Sequence, residues 1–181
     1  MWWYLFPHCM YHLIRWFPKN NRLKIRILIL LLSFSLVLPQ VYVLLLDQST
    51  RYCGQHLFGL LIVSIVLTFI MLGFLVLFVV MDPVPFEVKF GFHVFGGLTC
   101  IVGIIYLVLS SLAYECQNNT PALYYFSLAT AVLCGISMGL YVFLLPFWIL
   151  NRVYRNSVLD SKSRTGVCYE PVNCCSCIWH I

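Results

Sequence analysis

Four long apolar runs divide the chain, and short polar stretches separate them. The runs are Ile27–Leu46, Leu57–Met81, Phe90–Tyr114 and Ala122–Leu150. Each is continuous, which predicts helices and excludes the in-and-out alternation of a membrane β-barrel. Each also reaches the roughly 20 residues a helix needs to cross a bilayer. The second run, LFGLLIVSIVLTFIMLGFLVLFVVM, holds no charged residue and no Asn, Gln or His. Its transfer into lipid is favourable by roughly 0.3 to 0.6 kcal/mol for each central Leu, Ile, Phe or Val. The pattern predicts an all-α integral membrane protein. A bundle of four transmembrane helices with short loops (27–150) stands between an N-terminal arm (1–26) and a C-terminal tail (151–181). The first run is longer than the apolar core of a signal peptide and lacks a small-x-small cleavage site after it, so it reads as a retained anchor.

Composition supports this reading. Apolar residues make up 62% of the 181 and charged residues 9%, against roughly 45–50% and about 25% in soluble domains. A soluble fold of this length would lack polar surface.

The cations orient the spans. Of the 11 Lys and Arg, Arg15, Lys19, Arg22, Lys24 and Arg26 precede the first span, Lys89 lies between the second and third, and Arg152, Arg155, Lys162 and Arg164 follow the fourth. Only Arg51 falls in the remaining loops. Because basic residues are retained on the cytoplasmic side, both termini are expected there, with the first and third loops outside.

Each of those two outer loops carries one cysteine, Cys53 in DQSTRYCGQH and Cys116 in AYECQNNTPALYY. An oxidising exterior favours disulfides, so a Cys53–Cys116 bridge is expected. Asn118-Asn119-Thr120 matches the N-glycosylation acceptor. The hairpin is so short that Asn118 sits almost at the membrane surface, however, and turning the chain ahead of Pro121 is the stronger reading.

Small residues mark close helix approach in lipid. The fourth span repeats them at Ser127, Ala131, Gly135 and Gly139; the third carries Gly96, Thr99, Cys100, Gly103 and Ser110. These two stripes are expected to meet, with a homodimer through the fourth span as the alternative. Pro39 is expected to kink the first span, and Gln40, costly toward lipid, to point inward into an interhelical hydrogen bond.

The two ends differ in character. In MWWYLFPHCMYHLIRWFPKN, Trp2, Phe6, Met10, Leu13 and Phe17 follow helical spacing while His8, His12, Arg15 and Lys19 occupy the opposite side. This predicts an amphipathic interfacial helix under the inner leaflet. His8 and His12 have i, i+4 spacing but no third ligand nearby, so no metal is expected. The tail ends GVCYEPVNCCSCIWHI. Its juxtamembrane setting favours palmitoylation of Cys168, Cys174, Cys175 and Cys177 over zinc binding by Cys168, Cys174, Cys177 and His180 or unmodified thiols. Tyr169 to Val172 has the form of a tyrosine-based sorting signal, and Trp179-His180-Ile181 that of a PDZ ligand.

The region Ile27–Leu150, with four short-looped spans and the segment VPFEVKFGFHVFGGLTCIVGIIYLVLSSLA, resembles the MARVEL-type tetraspans, such as the MAL and chemokine-like-factor-like groups. Arthropod septate-junction tetraspans are a further similar group. Claudins differ, because their long first outer loop carries a Trp and paired cysteines, whereas here that loop has Cys53 alone. The resemblance implies a non-enzymatic protein organising membrane domains, vesicle traffic or cell contacts, in the plasma membrane or an endosomal or vesicle membrane. Its expected partners are membrane lipids, other membrane proteins, and a cytoplasmic adaptor or PDZ protein on the tail, not nucleic acid.

An auxiliary subunit of a channel or transporter is the alternative. Conduction by this chain alone is disfavoured because the spans hold no Asp, Glu, Lys or Arg in their interiors, where conducting proteins usually carry ionisable groups. An intramembrane enzyme would need a nucleophile with its base. Cys100 and Cys134 have no such partner nearby in sequence and read as small apolar fillers. No cofactor is expected.

Overall fold

The computed structural model describes residues 1–16, 22–51, 53–81 and 84–153. Its elements are helices α1 (Trp2–Trp16), α2 (Arg22–Ser35), α3 (Val37–Leu45), α4 (Leu57–Val80), α5 (Phe86–Leu112), α6 (Cys116–Asn119) and α7 (Pro121–Val153), with one 3-10 turn at Asp47–Thr50. No strand forms among the described residues. Four helical segments are long and apolar enough to cross a membrane: Leu23–Leu45, Leu57–Val80, Phe86–Leu112 and Pro121–Pro146. The chain clusters into two compact units, Met1–Ser137 and Met138–Ile181. In the second, the described residues continue α7 and include Pro146 within it.

The four spans correspond to the four apolar runs, with shifts at their ends that follow from local chemistry. α5 begins at Phe86, four residues ahead of the expected start. Pro85 stands in extended conformation as its N-cap, and Glu87 falls in the first turn, where a negative charge suits the helix dipole. The first span is divided between α2 and α3 at Leu36. Pro39 has no N–H to give the Ser35 carbonyl, and Leu36 N–H turns instead to Ser33 O at 3.2 Å. The helix is thus interrupted one turn ahead of Pro39, at Leu36.

Within the first unit α4 is the most enclosed span, packed against α1, α2, α3 and α5. Leu57, Leu61, Met71 and Leu75 on it are fully buried. Its other side, with Ile62, Val66 and Phe69, is exposed and apolar. The outward faces of α2, α5 and α7 are likewise built of Leu, Ile, Val and Phe, as expected where the surrounding solvent is lipid.

The helix α1 forms, but its placement corrects the expected interfacial one. It lies along α4 and α5 and also touches α2. The buried side chains are Trp3, Tyr4, Pro7, His8, Tyr11 and Ile14. Trp2, Phe6, Met10 and Leu13, the stripe taken as the apolar face, are only half-buried, and His8 is not opposite the buried side but on it, 1% exposed. The physical reason is that aromatic residues surround this helix. Tyr4 and Tyr11 offer as much apolar area as Phe6 and Met10, so periodicity alone did not select the face.

At the opposite end of α4 the expected disulfide joins Cys53 to Cys116, with Cα atoms 5.1 Å apart. Both cysteines are buried beneath the loops. Gly54 takes φ +87° beside the bridge, a conformation available to glycine at little cost. The link spans 63 residues, and closing a loop of that size contributes up to about 4 kcal/mol in the chain-entropy account. Replacing Cys53 or Cys116 with Ser is therefore expected to lower the thermal unfolding midpoint in detergent. Replacing both is expected to lower it no further than either alone, as measured by unfolding of the purified variants with and without reductant.

Candidate functional site

The most polar part of the first unit is a junction in its middle, where the N-terminal end of α1 meets α3, α4 and α5. Thr68, midway along α4, is fully buried. Its Oγ1 accepts a hydrogen bond from the Trp3 indole Nε1–H at 3.1 Å and another from Gln40 Nε2 at 2.8 Å. It donates to Ser64 O at 2.8 Å. One donated and two accepted bonds saturate a hydroxyl. The second Gln40 amide hydrogen reaches Leu36 O at 3.2 Å. Gln40 therefore points inward, 2% exposed, as the sequence implied. A single threonine ties α1, α3 and α4.

Tyr106 on α5 closes this junction from another side. Its ring lies 5.9 Å from that of Trp3 and its hydroxyl donates to Leu60 O on α4. Beside it the Met1 nitrogen donates to Thr99 O at 2.8 Å and stands 3.5 Å from Cys134 Sγ. Further along α1, Tyr4 stacks on Phe92 with ring centroids 4.4 Å apart. Phe92 meets Phe78 at 4.8 Å and Phe74 at 5.4 Å, and Tyr11 meets Phe78 at 5.5 Å. Offset and edge contacts of this kind add about 0.5–1.5 kcal/mol each beyond burial. Beyond them, Ile14 joins Ile29, Leu75 and Val79. Trp3 thus stands beside Thr68, Tyr11 beside Phe78 and Ile14 beside Val79, so α1 runs parallel to α4 over half of its length.

The small-residue stripes meet only in part. Ser110 Oγ donates to Ser127 O at 3.3 Å, and a Cβ on Gly103 would lie 3.5 Å from Cys134. A Cβ on Gly135 would touch Leu107 at 3.5 Å. Ser127 and Ala131 are buried. Gly96, however, does not serve α7. A Cβ there would lie 2.8 Å from the Tyr4 ring, so this glycine makes room for α1. Gly139 lies in the second unit, and a Cβ there would meet nothing within 4 Å among the described residues.

The remaining sequence-derived positions fall as follows. Asn118 is exposed on the single turn of α6, while the Thr120 hydroxyl of the same acceptor motif is buried and bonds Cys116 O at 3.3 Å. The His8 and His12 rings stand 5.0 Å apart, tilted by 49°. No group of three His, Cys, Asp or Glu that could hold a metal occurs among the described residues. Cys100 is half-buried and Cys134 buried. Cys168, Cys174, Cys175, Cys177, Tyr169 and Val172 lie outside the described residues.

Sequence reasoning found Gln40 because an amide in an apolar run needs a partner. It missed Trp3, Thr68 and Tyr106. Thr68 carried a faint signal as one of only two hydroxyls in the second apolar run. No family model, curated protein or solved structure matches the chain.

Two substitutions test the junction. Thr68→Val removes the acceptor of both Trp3 and Gln40 without changing shape. It is expected to destabilise the fold by about 1–3 kcal/mol, above the ~0.6 kcal/mol average of a single interhelical bond in a membrane protein, while Thr68→Ser retains most of the stability; thermal unfolding in detergent measures both. Gly96→Val is expected to push Tyr4 off Phe92 and release α1, read as faster proteolysis within residues 1–16 at unchanged helix content.

Proposed function

We propose that the chain is a non-enzymatic tetraspan protein of the membrane, with both termini cytoplasmic, that organises other membrane components in domain formation, vesicle traffic or cell contact. The observation that carries this reading is a segregation of chemistry between the two ends of the bundle. The Cys53–Cys116 bridge closes one end. Lys24, Arg26 and Lys89 belong to the other, where Ile29 and Val79 share one cluster with Ile14. Disulfides belong to oxidising compartments and cations to the cytoplasmic side. Two separate criteria thus support the same orientation of the spans.

The interior supports a structural role. Thr68, Gln40 and Tyr106, polar side chains buried in the first unit, join one helix to another. The charged residues within the spans, Lys24, Arg26, Glu87 and Lys89, all lie in their first turns, so an ion would find no charged partner midway through. The outer surface, by contrast, is broad and apolar, suited to lipid and to neighbouring helices. The same surface suits an auxiliary subunit, whose partner would supply the pore.

Two measurements test the proposal. Epitopes at the N-terminus and in the tail are expected to be inaccessible in intact cells and both accessible after permeabilisation; exposure of one alone refutes the topology. Proximity labelling of the full chain in its native cells is expected to recover a set of junctional or vesicle-coat proteins. Recovery of one dominant channel would favour the auxiliary reading. Ion flux in liposomes that contain this protein alone would overturn both.

A further inference from the structure

The docked helix α1 carries two histidines side by side. His8 is 1% exposed, with the Tyr4 ring 6.1 Å away on one side and the His12 ring 5.0 Å away on the other. His12 is half-buried, and the Tyr11 ring stands 5.3 Å from it. A proton on His8 would bring a full charge into the contact between α1 and its neighbours, where an ionised group is costly. A proton on both rings would add the repulsion of two like charges one helical turn apart.

The ionisable groups on the surrounding helices are mainly cations. α4 brings none, since Leu57–Val80 contains no ionisable side chain. α5 runs antiparallel to α1, with Thr99 beside Met1 and Phe92 beside Tyr4. This direction brings the half-buried Lys89 toward the level of His8, with the exposed Glu87 in the same first turn and His93 beside Tyr4 at 6.3 Å. α2 brings Arg22, Lys24 and Arg26, all ahead of Ile29, which packs with Ile14. From α7, Cys134 approaches only the Met1 end. α1 itself adds Tyr4, Cys9, Tyr11 and Arg15, and Asp82 lies outside the described residues. One described carboxylate thus stands against five Lys and Arg residues, a balance that opposes a further positive charge.

The helix also has somewhere else to go. Trp2, Phe6, Met10 and Leu13 form a second apolar stripe, only half-buried in the docked state. Laid on the membrane surface by that stripe, α1 would turn His8 and His12 to the wet side, where an imidazole takes a proton at little cost. We infer that α1 is an acid-sensitive strap: protonation of His8, reinforced by His12, releases it from α4 and α5 to the membrane surface. Docking is then strongest at neutral and alkaline pH and is lost as pH falls, because the released state binds more protons. Release removes one donor from the Thr68 hydroxyl, the Trp3 indole, and leaves Gln40 in place. The four spans and their disulfide take no part in the change.

The test uses the full chain in phosphatidylcholine nanodiscs, spin-labelled at Cys9 and at Val80→Cys, with every other free cysteine replaced by alanine. Pulsed electron paramagnetic resonance reads the distance between the labels from pH 7.5 to pH 5.0. One distance is expected at pH 7.5, and a longer one is expected to replace it on acidification and to vanish on return to pH 7.5. The ratio of docked to released helix is expected to fall by up to about tenfold per pH unit below the ordinary imidazole value of about 6.5. His8→Phe keeps a ring that cannot take a proton and is expected to hold the docked distance throughout. His12→Phe is expected to move release to lower pH and gives a readout even if His8→Phe fails to dock. His93→Gln is expected to change nothing. A distance in the wild-type chain that does not respond to pH overturns the strap. So does acid release that persists in His8→Phe, that is unmoved in His12→Phe, or that disappears in His93→Gln. Both faces of the nanodisc share one buffer, so the outcome is independent of which way the protein faces and of the proposed function.

Discussion

The first unit depends on a constraint imposed by its own apolarity: a polar atom inside it is costly unless it finds a partner within the protein. At Thr68 this requirement becomes architecture. One hydroxyl takes the Trp3 indole and the Gln40 amide while giving its proton to the Ser64 carbonyl. Three helices are thereby held at one level, because none of these groups has an equivalent partner elsewhere in a surrounding of Leu, Val and Phe. Apolar packing among the same helices would tolerate sliding by a residue or a turn. The hydrogen bonds do not, since each fixes a donor against one acceptor.

The placement of α1 follows from the same logic. Its 15 residues span about 22 Å at 1.5 Å per residue, so it fills only part of the length of α4. Its end brings an indole donor to the Thr68 hydroxyl and its middle brings Tyr4 and Tyr11 to a column of phenylalanines. Gly96 and Gly103 on α5 permit this approach: a Cβ at the first would lie 2.8 Å from the Tyr4 ring and a Cβ at the second 2.9 Å from the Met1 nitrogen. The first unit thus contains a further helix packed on its spans, and the closest ring pair, Tyr4 on Phe92 at 4.4 Å, belongs to it.

The two ends of the bundle are separated chemically. At one, a covalent bridge draws the loops before α4 and after α5 together, and the Thr120 hydroxyl packs under it. At the other, cations outnumber acidic groups and one guanidinium lacks a partner for an enclosed donor.

The number of spans, their extents to within a few residues, a disturbance of the first span by Pro39 and the inward Gln40 were legible in the sequence, because each rests on a local property: length of an apolar run, a missing N–H, or an amide that cannot face lipid. The pairing of Cys53 with Cys116 was legible too, since the order of the spans brings the two loops to one end. The face by which α1 docks, the convergence of Trp3 and Tyr106 on Thr68, and the use of Gly96 for Tyr4 were decided only by the tertiary structure. Where nearly every residue is apolar, hydrophobic periodicity no longer distinguishes inside from outside. The choice then falls to shape and to hydrogen bonds between distant residues such as Trp3 and Thr68, 65 positions apart, which no local window contains.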